Sequence, residues 1–424
     1  MHKELSLIEN IQRRPFLRPL IFWITGIGLQ TCFPLQTVSF VLPIAAAAII
    51  ILSFFMPKVQ FPPYNSRHIW GIVFAMITVF MAIEMTYLAE QSQGIVTELS
   101  FLQLKAQAAQ AQMVEKLSML ALPDNDRAML ATITVNYRRA MSAELRNQFS
   151  AVGVSHLLSV SGFHVGIVCA FVRGLLSMLP KRNMTARILK YVLSMLMVWA
   201  FTYISGLTTA AVRAAIMISI YITGTVTDRE PDKYNTIAAA AFLMLVYNPF
   251  YLYNVGFQLS FTAVLFIIYL YPRLKNLIKL RNPLIYTPWN VLTVTLSAQL
   301  GTLFLCCFYF GKTSMVFIFT NLTLSFLANL LIPTTLIWMI MPEWMPGFVM
   351  LGSIVEVLAR WTMWIVENFA SVPGASLALR FDLFTMLMSY LSLILIMLYF
   401  RMHGYKLMAA ALISILVIIV YQLI

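Results

Sequence analysis

Charged residues are scarce in this sequence of 424 residues, since Asp, Glu, Lys and Arg together make up only 11% of it. An average soluble domain contains about 25% of such residues, so a water-soluble globular architecture is excluded. The four cysteines lie in apolar runs without a CxxC pair, which predicts neither a disulfide framework nor a metal site: Cys32, Cys169, Cys306 and Cys307. No GxxxxGKS/T loop is present, and we expect no bound nucleotide or other cofactor.

Hydrophobic residues are abundant instead and account for 60% of the chain. A bilayer core of about 30 Å needs about 20 apolar residues per helix. Runs of this kind lie at 20–34, 38–56, 69–88, 157–179, 188–205, 208–226, 234–250, 251–271, 288–310, 313–341, 347–370, 382–400 and 405–424. The sequence therefore predicts an all-α, polytopic transmembrane helix bundle with roughly 11–13 spans, several of them broken or re-entrant. The run 313–341 contains Asn321, Asn329 and Pro333, and we expect a tilted or broken helix there.

The formal net charge of +13 has a topological explanation. If the N-terminus lies in the cytoplasm, most of the 29 Lys and Arg residues fall in inner segments, as the positive-inside rule predicts. Counting the predicted spans from there places the C-terminus outside the cytoplasm. Net charge alone therefore does not indicate a nucleic-acid partner.

The hydrophobic pattern divides the chain into four parts. We expect N-terminal transmembrane helices at 1–88, an extracytoplasmic amphipathic helical segment at 89–155, the main transmembrane domain at 156–400 and a C-terminal transmembrane helix at 401–424. Within 89–155, helical spacing runs over 98–122 and again over 127–149, with a turn at 123–126. The second stretch has Arg138, Arg139 and Arg146 on its polar side. This segment is either an interfacial hairpin on the outer leaflet or a basic vestibule that leads to a pore.

The sequence GVSHLLSVSGFHVGIV at 153–168 interrupts an apolar run with small and polar residues. Backbone groups freed at membrane depth are tolerated only where protein or a water-filled cavity satisfies them. His156 and His164 are eight residues apart, about two turns of a continuous helix, so both can face one cavity. The alternative is that they are buried, hydrogen-bonded histidines that orient a bent helix. Two histidines without a nearby carboxylate or thiolate predict no metal site.

This segment closely resembles the signature of the ComEC family, the inner-membrane channel of bacterial DNA uptake in natural transformation. Four further blocks follow in family order: YISGLTTAAVRAAIM (203–217), YNPFYLYNVGFQLSFTAVL (247–265), LSAQLGTLFLCCFYFGKTSMVFIFTNL (296–322) and ENFASVPGASLAL (367–379). The resemblance implies a competence-type channel domain at 156–400 that translocates single-stranded DNA across the bacterial cytoplasmic membrane.

Family members commonly carry an OB-like domain in the early outer loop and end in a metallo-β-lactamase-like domain. The interval 89–155 is too short for the first, and no HxHxDH cluster indicates the second. We therefore expect no enzymatic activity in this chain. The resemblance implies single-stranded DNA as a partner, together with a separate nuclease, a membrane-bound DNA receptor and a cytoplasmic helicase-like motor. Membrane lipid surrounds the predicted spans, and the oligomeric state stays open, with a homo-oligomer as one alternative.

Intramembrane polar residues are the candidates for the DNA path, because each is costly to place in a bilayer. Arg213 is the foremost, since it follows the Ser205–Gly206 turn near a helix N-terminus. Alternatively, Arg213 snorkels to the outer interface. The Asn and Gln side chains of the path can instead form hydrogen bonds between helices. Glu356 and Arg360 have the spacing of an intrahelical ion pair. The predicted path is His156, Ser159, Ser161, Gly162, His164, Ser205, Gly206, Arg213, Gly256, Gln258, Ser260, Gln299 and Asn321.

Two other functions remain open from the residues alone. A secondary transporter of a small anionic solute is also built from broken helices around a midplane site. A non-conducting relic or scaffold subunit would have a sealed bundle without a continuous wet path.

Overall fold

The computed structural model describes residues 14–34, 67–92, 101–178, 184–226, 232–278 and 282–423. The predicted span at 38–56 lies outside these residues. The first helices are α1 (Leu17–Cys32), α2 (Arg67–Ser92), α3 (Phe101–Lys116), α4 (Asp124–Val135), α5 (Ala143–Ala151), α6 (Gly162–Ser177), α7 (Met184–Ile204) and α8 (Thr209–Val226). They are followed by α9 (Lys233–Tyr247), α10 (Val255–Lys275), α11 (Pro283–Phe310), α12 (Phe317–Ile340), α13 (Phe348–Ala370), α14 (Leu383–Met402) and α15 (Tyr405–Leu423).

The all-α, polytopic membrane fold is confirmed. Within the described ranges, eight helices are long and apolar enough to cross a membrane, namely α2, α7 and α10 to α15. The shorter apolar stretches Gly162–Ser177 and Thr209–Gly224 belong to α6 and α8. Strand structure is limited in the described residues to β1 (Lys312–Ser314) and β2 (Ser376–Ala378).

The chain forms two compact units. Unit 1 comprises Met1–Gln107, Val172–Tyr203 and Leu207–Phe261. In it, α1 packs closely on α2 at Gly26. A side chain at this position would not fit, since an added Cβ would lie 2.5 Å from the carbonyl oxygen of Val79. The Trp23 indole then donates to the carbonyl of Leu245 at 3.2 Å, which ties α1 to α9.

Unit 2 comprises Ala108–Phe171, Ile204–Gly206 and Thr262–Ile424. Its main helix pairs are α12 with α13 and α14 with α15. Strands β1 and β2 pair antiparallel, with Thr313 opposite Leu377, so the start of α12 and the end of α13 lie at the same end of that pair. Gly311 closes α11 with φ +64°, and an added Cβ there would lie 2.9 Å from Cγ of Arg380.

Of the two alternatives for 313–341, a broken helix is wrong, since α12 is one continuous helix, and a tilted helix stays a prediction. Pro333 removes the backbone donor to the carbonyl of Asn329, and side chains on either side of it bond other carbonyls of the helix. Asn329 donates to the carbonyl of Ser325 at 2.7 Å, and Thr334 donates to that of Leu330 at 2.6 Å. Proline is tolerated in transmembrane helices under such conditions.

The stretch 127–149 is not one amphipathic helix either. Helix α4 ends at Val135, and Asn136 after it adopts a left-handed conformation with φ +61°. Helix α5 begins at Ala143, and the side chain of Ser142 caps its N-terminus. Nearly all of α4 is buried, from Asp126 to Val135, and it contacts α12 and α13. A surface orientation on the outer leaflet is therefore wrong for α4, because its Ala, Met, Leu and Thr side chains are packed inside unit 2.

Candidate functional site

The helix interruption at 153–161 is a built structure in which several backbone groups have hydrogen-bond partners. A short 3₁₀-helix covers Ser155–Leu158, and α6 starts only at Gly162. Before it, Gly153 has φ +79°, and an added Cβ there would lie 2.7 Å from Cβ of Ser314. A side chain is thus excluded at this position by both conformation and space.

The loop between α4 and α5 bonds the interruption from one side. The Oδ1 of Asn136 accepts from the backbone N–H of Val160 at 3.1 Å. The Nε of Arg138 donates to the carbonyl of Leu158 at 3.0 Å. Two main-chain groups that a continuous helix would have paired internally are therefore satisfied by side chains from 136–138.

Ser161 and His164 form a reciprocal cap at the start of α6. The Oγ of Ser161 accepts from the N–H of Phe163 at 3.3 Å, while Nδ1 of His164 accepts from the N–H of Ser161 at 3.3 Å. This is a variant of a capping box in which Ser161 bonds the second amide of the helix rather than the third, with His in the place usually taken by Glu or Gln. Because Nδ1 acts as the acceptor, the bonds assign the proton of the neutral ring to Nε2.

The two motif histidines have different environments. His164 is fully buried, and its Nε2 makes no hydrogen bond of standard geometry, although the Leu157 main chain interacts with the ring. His156 is exposed on the 3₁₀-helix, yet close enough to His164 for electrostatic interaction. The two side chains come from different elements, His156 from the 3₁₀-helix and His164 from α6, and their facing one cavity stays a prediction. In the described part of the chain, no group of three metal-binding side chains occurs.

Three exposed arginines lie beside this interruption. Arg138, Arg139 and Arg146 are all exposed, and Arg146 also donates to the carbonyl of Met141 at 2.9 Å. Partial burial and then the charge of Arg146 lower the pKa of Arg138 below its ordinary value. The guanidinium groups still stay charged at neutral pH. We call Arg138, Arg139 and Arg146 the arginine cluster; the charges of Arg138 and Arg146 interact, and Arg139 follows Arg138 directly in the chain.

Other predicted path residues of unit 2 vary in exposure. Ser205 is buried, and Gly206 has φ +77°, with its ideal Cβ position 3.3 Å from the Gln110 amide. Asn321 is 6% exposed and donates to the carbonyl of Phe317 in its own helix. The remaining members are partly or fully exposed: Ser159, Ser161, Gly162 and Gln299. Their role in a path stays a prediction.

Arg213 belongs to a second group of predicted residues, in unit 1. It is only 6% exposed, and its Nη2 donates to the carbonyl of Gly256 at 3.0 Å. Its Nε is buried without a hydrogen-bond partner among the described residues. No described carboxylate forms an ion pair with it, and Tyr251 is the neighbour that interacts with its charge. Arg213 is thus a cation buried by protein, and its alternative role of snorkelling to the outer interface stays open.

The start of α10 is shaped around this guanidinium. Asn254 caps the helix, since its Oδ1 accepts from the N–H of Phe257 at 3.1 Å. An added Cβ at Gly256 would lie 3.1 Å from that oxygen and 3.6 Å from Nη2 of Arg213. Gln258 donates back to the carbonyl of Leu252 at 3.0 Å. Gly256 and Gln258 therefore shape the turn against which Arg213 rests, with Ser260 one turn further along α10 and half-buried.

Several residues that hold these sites were missed from the sequence. Asn136 follows the end of α4, and Asn254 precedes the start of α10. Asparagine is favoured at helix caps, so the sequence contained a signal for both positions. Gln110 in α3 carried no such signal, because its contacts are with residues distant in sequence. The expected ion pair between Glu356 and Arg360 is also wrong: both side chains bond the main chain of Ala121.

The sequence matches the family model described as Competence protein over residues 133–403. ComE operon protein 3 of Bacillus subtilis (strain 168), a curated relative, is 27% identical over 281 residues. The aligned region covers 66% of this chain and 34% of that relative, so the chain spans about a third of the relative's length. No solved structure matches. The family match includes the helix interruption, Arg213 and the start of α10.

Proposed function

The chain belongs to the Competence protein family, and on this premise we propose that it forms a transmembrane channel that translocates single-stranded DNA during natural transformation. Its role lies in DNA uptake for competence, as a multi-pass protein of the inner membrane. The proposal adds the transported species and the residues that contact it.

The arginine cluster beside the helix interruption carries this proposal. Single-stranded nucleic acid is generally held by basic groups that follow its phosphates. Arg138 is bonded to the interruption itself through the carbonyl of Leu158, so its position is set by the same segment that breaks the helix. Arg139 and Arg146 are exposed, and they add charge without burial cost. The cluster therefore suits the first contacts with a mobile polyanion.

Arg213 supports a second contact with phosphate. A buried guanidinium without a carboxylate partner is expensive, and such residues inside membranes commonly mark an ion or substrate pathway. The one carbonyl that accepts from it compensates only part of its charge. We assign it a contact with a passing phosphate group. The chain acts as a channel rather than an enzyme, with a separate nuclease, a DNA receptor and a helicase-like motor as partners, the N-terminus inside and the C-terminus outside.

A deletion strain tests the proposal most directly. Uptake of labelled DNA and transformation should both fall to background without this gene and return when it is supplied in trans. Normal transformation of a strain without the gene and without a second copy would contradict the proposal.

Reconstitution separates the channel from the two other functions. In proteoliposomes, a single-stranded oligonucleotide should change the ionic conductance of the purified protein. A secondary transporter would instead move a small anion independently of DNA, and a scaffold would conduct nothing in either condition.

A further inference from the structure

Helices α3 and α4 form a helical hairpin within unit 2, where α3 contributes its residues from Ala108 onward. The amide of Gln110 donates to the carbonyl of Val135, so the two helices are paired at this end. At the other end, a 3₁₀-helix at Leu117–Met119 and a short turn lead from α3 into α4. The residues 117–123 are therefore the tip of the hairpin, and Gln110 and Val135 mark its base.

The tip is held at the C-terminal end of α12. The Nζ of Lys116 donates to the carbonyl of Met339 at 3.1 Å and to that of Met341 at 2.5 Å. The same ammonium group lies 5.8 Å from the centre of the Trp338 ring and 5.2 Å from that of Phe348. A cation at the last carbonyls of a helix is stabilised by the helix dipole. Lys116 thus anchors the tip to the C-terminal end of α12.

A second contact holds the tip against the middle of α13. The N–H of Ala121 donates to Oε1 of Glu356 at 2.7 Å, and the carbonyl of Ala121 accepts from Nη2 of Arg360 at 2.7 Å. Both polar groups of one irregular residue are thus satisfied by two charged side chains of α13. Such a pair of bonds is unnecessary for a loop in bulk water, where the solvent would satisfy the same groups.

The chain that leaves the hairpin reaches the opposite end of α12. Thr320, in the first turn of α12, donates to the carbonyl of Val152 at 2.8 Å, and Gly153 lies against Ser314 and Phe317. The stretch from Lys116 to Val152 therefore follows α12 along its whole length. A helix of 24 residues is about 36 Å long, more than a hydrocarbon core of about 30 Å.

From these contacts we infer that the α3–α4 hairpin is a re-entrant element, inserted to membrane depth beside α12, whose polar side faces a water-filled cavity. Irregular backbone and polar side chains occur at that depth only where protein buries them or water reaches them. Ala121 is satisfied by protein. Asp124 has one ion-pair contact, 3.6 Å from its Oδ1 to Nη2 of Arg127, but its side chain is 98% exposed and the rest of the carboxylate needs water. Asn125, Arg360 and Glu367 are exposed as well. The cavity admits water and small hydrophilic solutes, and the inference does not depend on DNA.

Site-directed spin labelling of the full chain in liposomes tests this inference. In a background in which the four native cysteines are replaced, single cysteines are introduced as Ser118→Cys and Asp124→Cys at the tip and as Phe326→Cys on α12. Phe326 is 66% exposed near the middle of α12 and serves as the matched reference for lipid. Collisions of each label with a water-soluble nickel chelate and with oxygen are then compared.

We expect the label at Phe326 to collide mainly with oxygen and the labels at Ser118 and Asp124 to collide several-fold more with nickel. Nickel-accessible labels at all three sites would place α12 outside the hydrocarbon and overturn the inference. Oxygen-dominated labels at the tip would also overturn it, because no water would reach the hairpin. Asn125→Cys replaces Asp124→Cys if that variant does not fold.

Cross-linking checks that the tip keeps its position in a membrane. The pair Ala121→Cys and Glu356→Cys should react with a short bifunctional reagent, whereas Ala121→Cys with Phe326→Cys should not. Absence of the first cross-link in a folded protein would overturn the inference, while the DNA-uptake proposal would be unaffected.

Discussion

Arg213 in unit 1 and the arginine cluster in unit 2 carry the same side chain in opposite environments. Arg213 is 6% exposed and donates to one carbonyl, without a carboxylate partner among the described residues. Arg138, Arg139 and Arg146 are exposed. Burial of a charge costs several kcal/mol per ion, whereas an exposed charge costs almost nothing. A buried arginine must therefore be compensated by the fold or by a ligand, and an exposed one is free to serve a mobile partner.

The comparison predicts that the two environments respond differently to substitution. Loss of the buried guanidinium removes a specific bond and should have a large effect at a single position. Loss of an exposed one should have a small effect that accumulates with the number removed and depends on salt.

Arg213→Gln has the largest expected effect. A hydrogen bond from a charged group contributes about 1.5–3 kcal/mol, which corresponds to roughly 10- to 100-fold. We expect transformation frequency to fall by this factor while the amount of protein in the membrane, measured by immunoblot, stays unchanged. Arg213→Lys retains the charge without the planar fork and should be intermediate. Arg401→Gln, an exposed site, is the control. Near-normal transformation with Arg213→Gln would break the comparison.

The triple variant in which Arg138, Arg139 and Arg146 are replaced by Gln tests the exposed side of the comparison. Binding of a single-stranded oligonucleotide to the detergent-solubilised protein should weaken, and the slope of log K against log salt should become shallower by about 2, since each phosphate contact contributes about 0.7. Each single variant should account for about a third of the change. An unaltered slope in the triple variant would show that the cluster does not contact phosphates.

His164→Ala tests a buried polar group that is compensated by local bonds. It removes half of the capping box with Ser161, and a lost cap costs about 1 kcal/mol. We expect chemical denaturation to report a loss of this size in the free energy of unfolding. His164→Gln should restore most of it, because Gln is a usual partner in a capping box. Equal losses in both variants would show that the cap is not what His164 contributes.

Asp382 provides the smallest expected effect and a pH dependence. It caps α14, and hydrogen bonds from Thr385 and then Tyr421 hold the pKa of this exposed carboxyl below its ordinary value of 3.8. The folded protein thus binds this proton less readily than the unfolded chain. The contribution to stability is complete above the unfolded pKa and is lost as the pH falls through the folded pKa. Asp382→Asn should flatten the acid limb of the unfolding midpoint; an unchanged limb would contradict this.

Much of the fold was predictable from local sequence. Twelve of the predicted spans overlap described helices, and eight of those helices are long and apolar enough to cross a membrane, because a run of apolar residues is a local property of the sequence. The continuous α12 was not predictable, since Pro333 normally predicts a break. The split at Asn136 was missed because helical spacing continues across it.

The candidate site was predictable in its residues but not in its bonds. The motif at 153–168 and Arg213 are local features of the sequence, and a family resemblance could identify them. That His164 caps Ser161 was within reach, since the two are three residues apart. The hydrogen bond from the N–H of Val160 to the side chain of Asn136 was not predictable, because it depends on how the α4–α5 loop folds back.

The sequence by itself determined that this is an all-α membrane protein with the motifs of one family, because composition and residue order are properties of the chain before it folds. Only the tertiary structure decided which polar groups meet. Glu356 and Arg360 have the spacing of an ion pair, yet they bond Ala121, more than 200 residues away in the chain. Partners at such separations depend on the packing of whole helices, which no local pattern encodes.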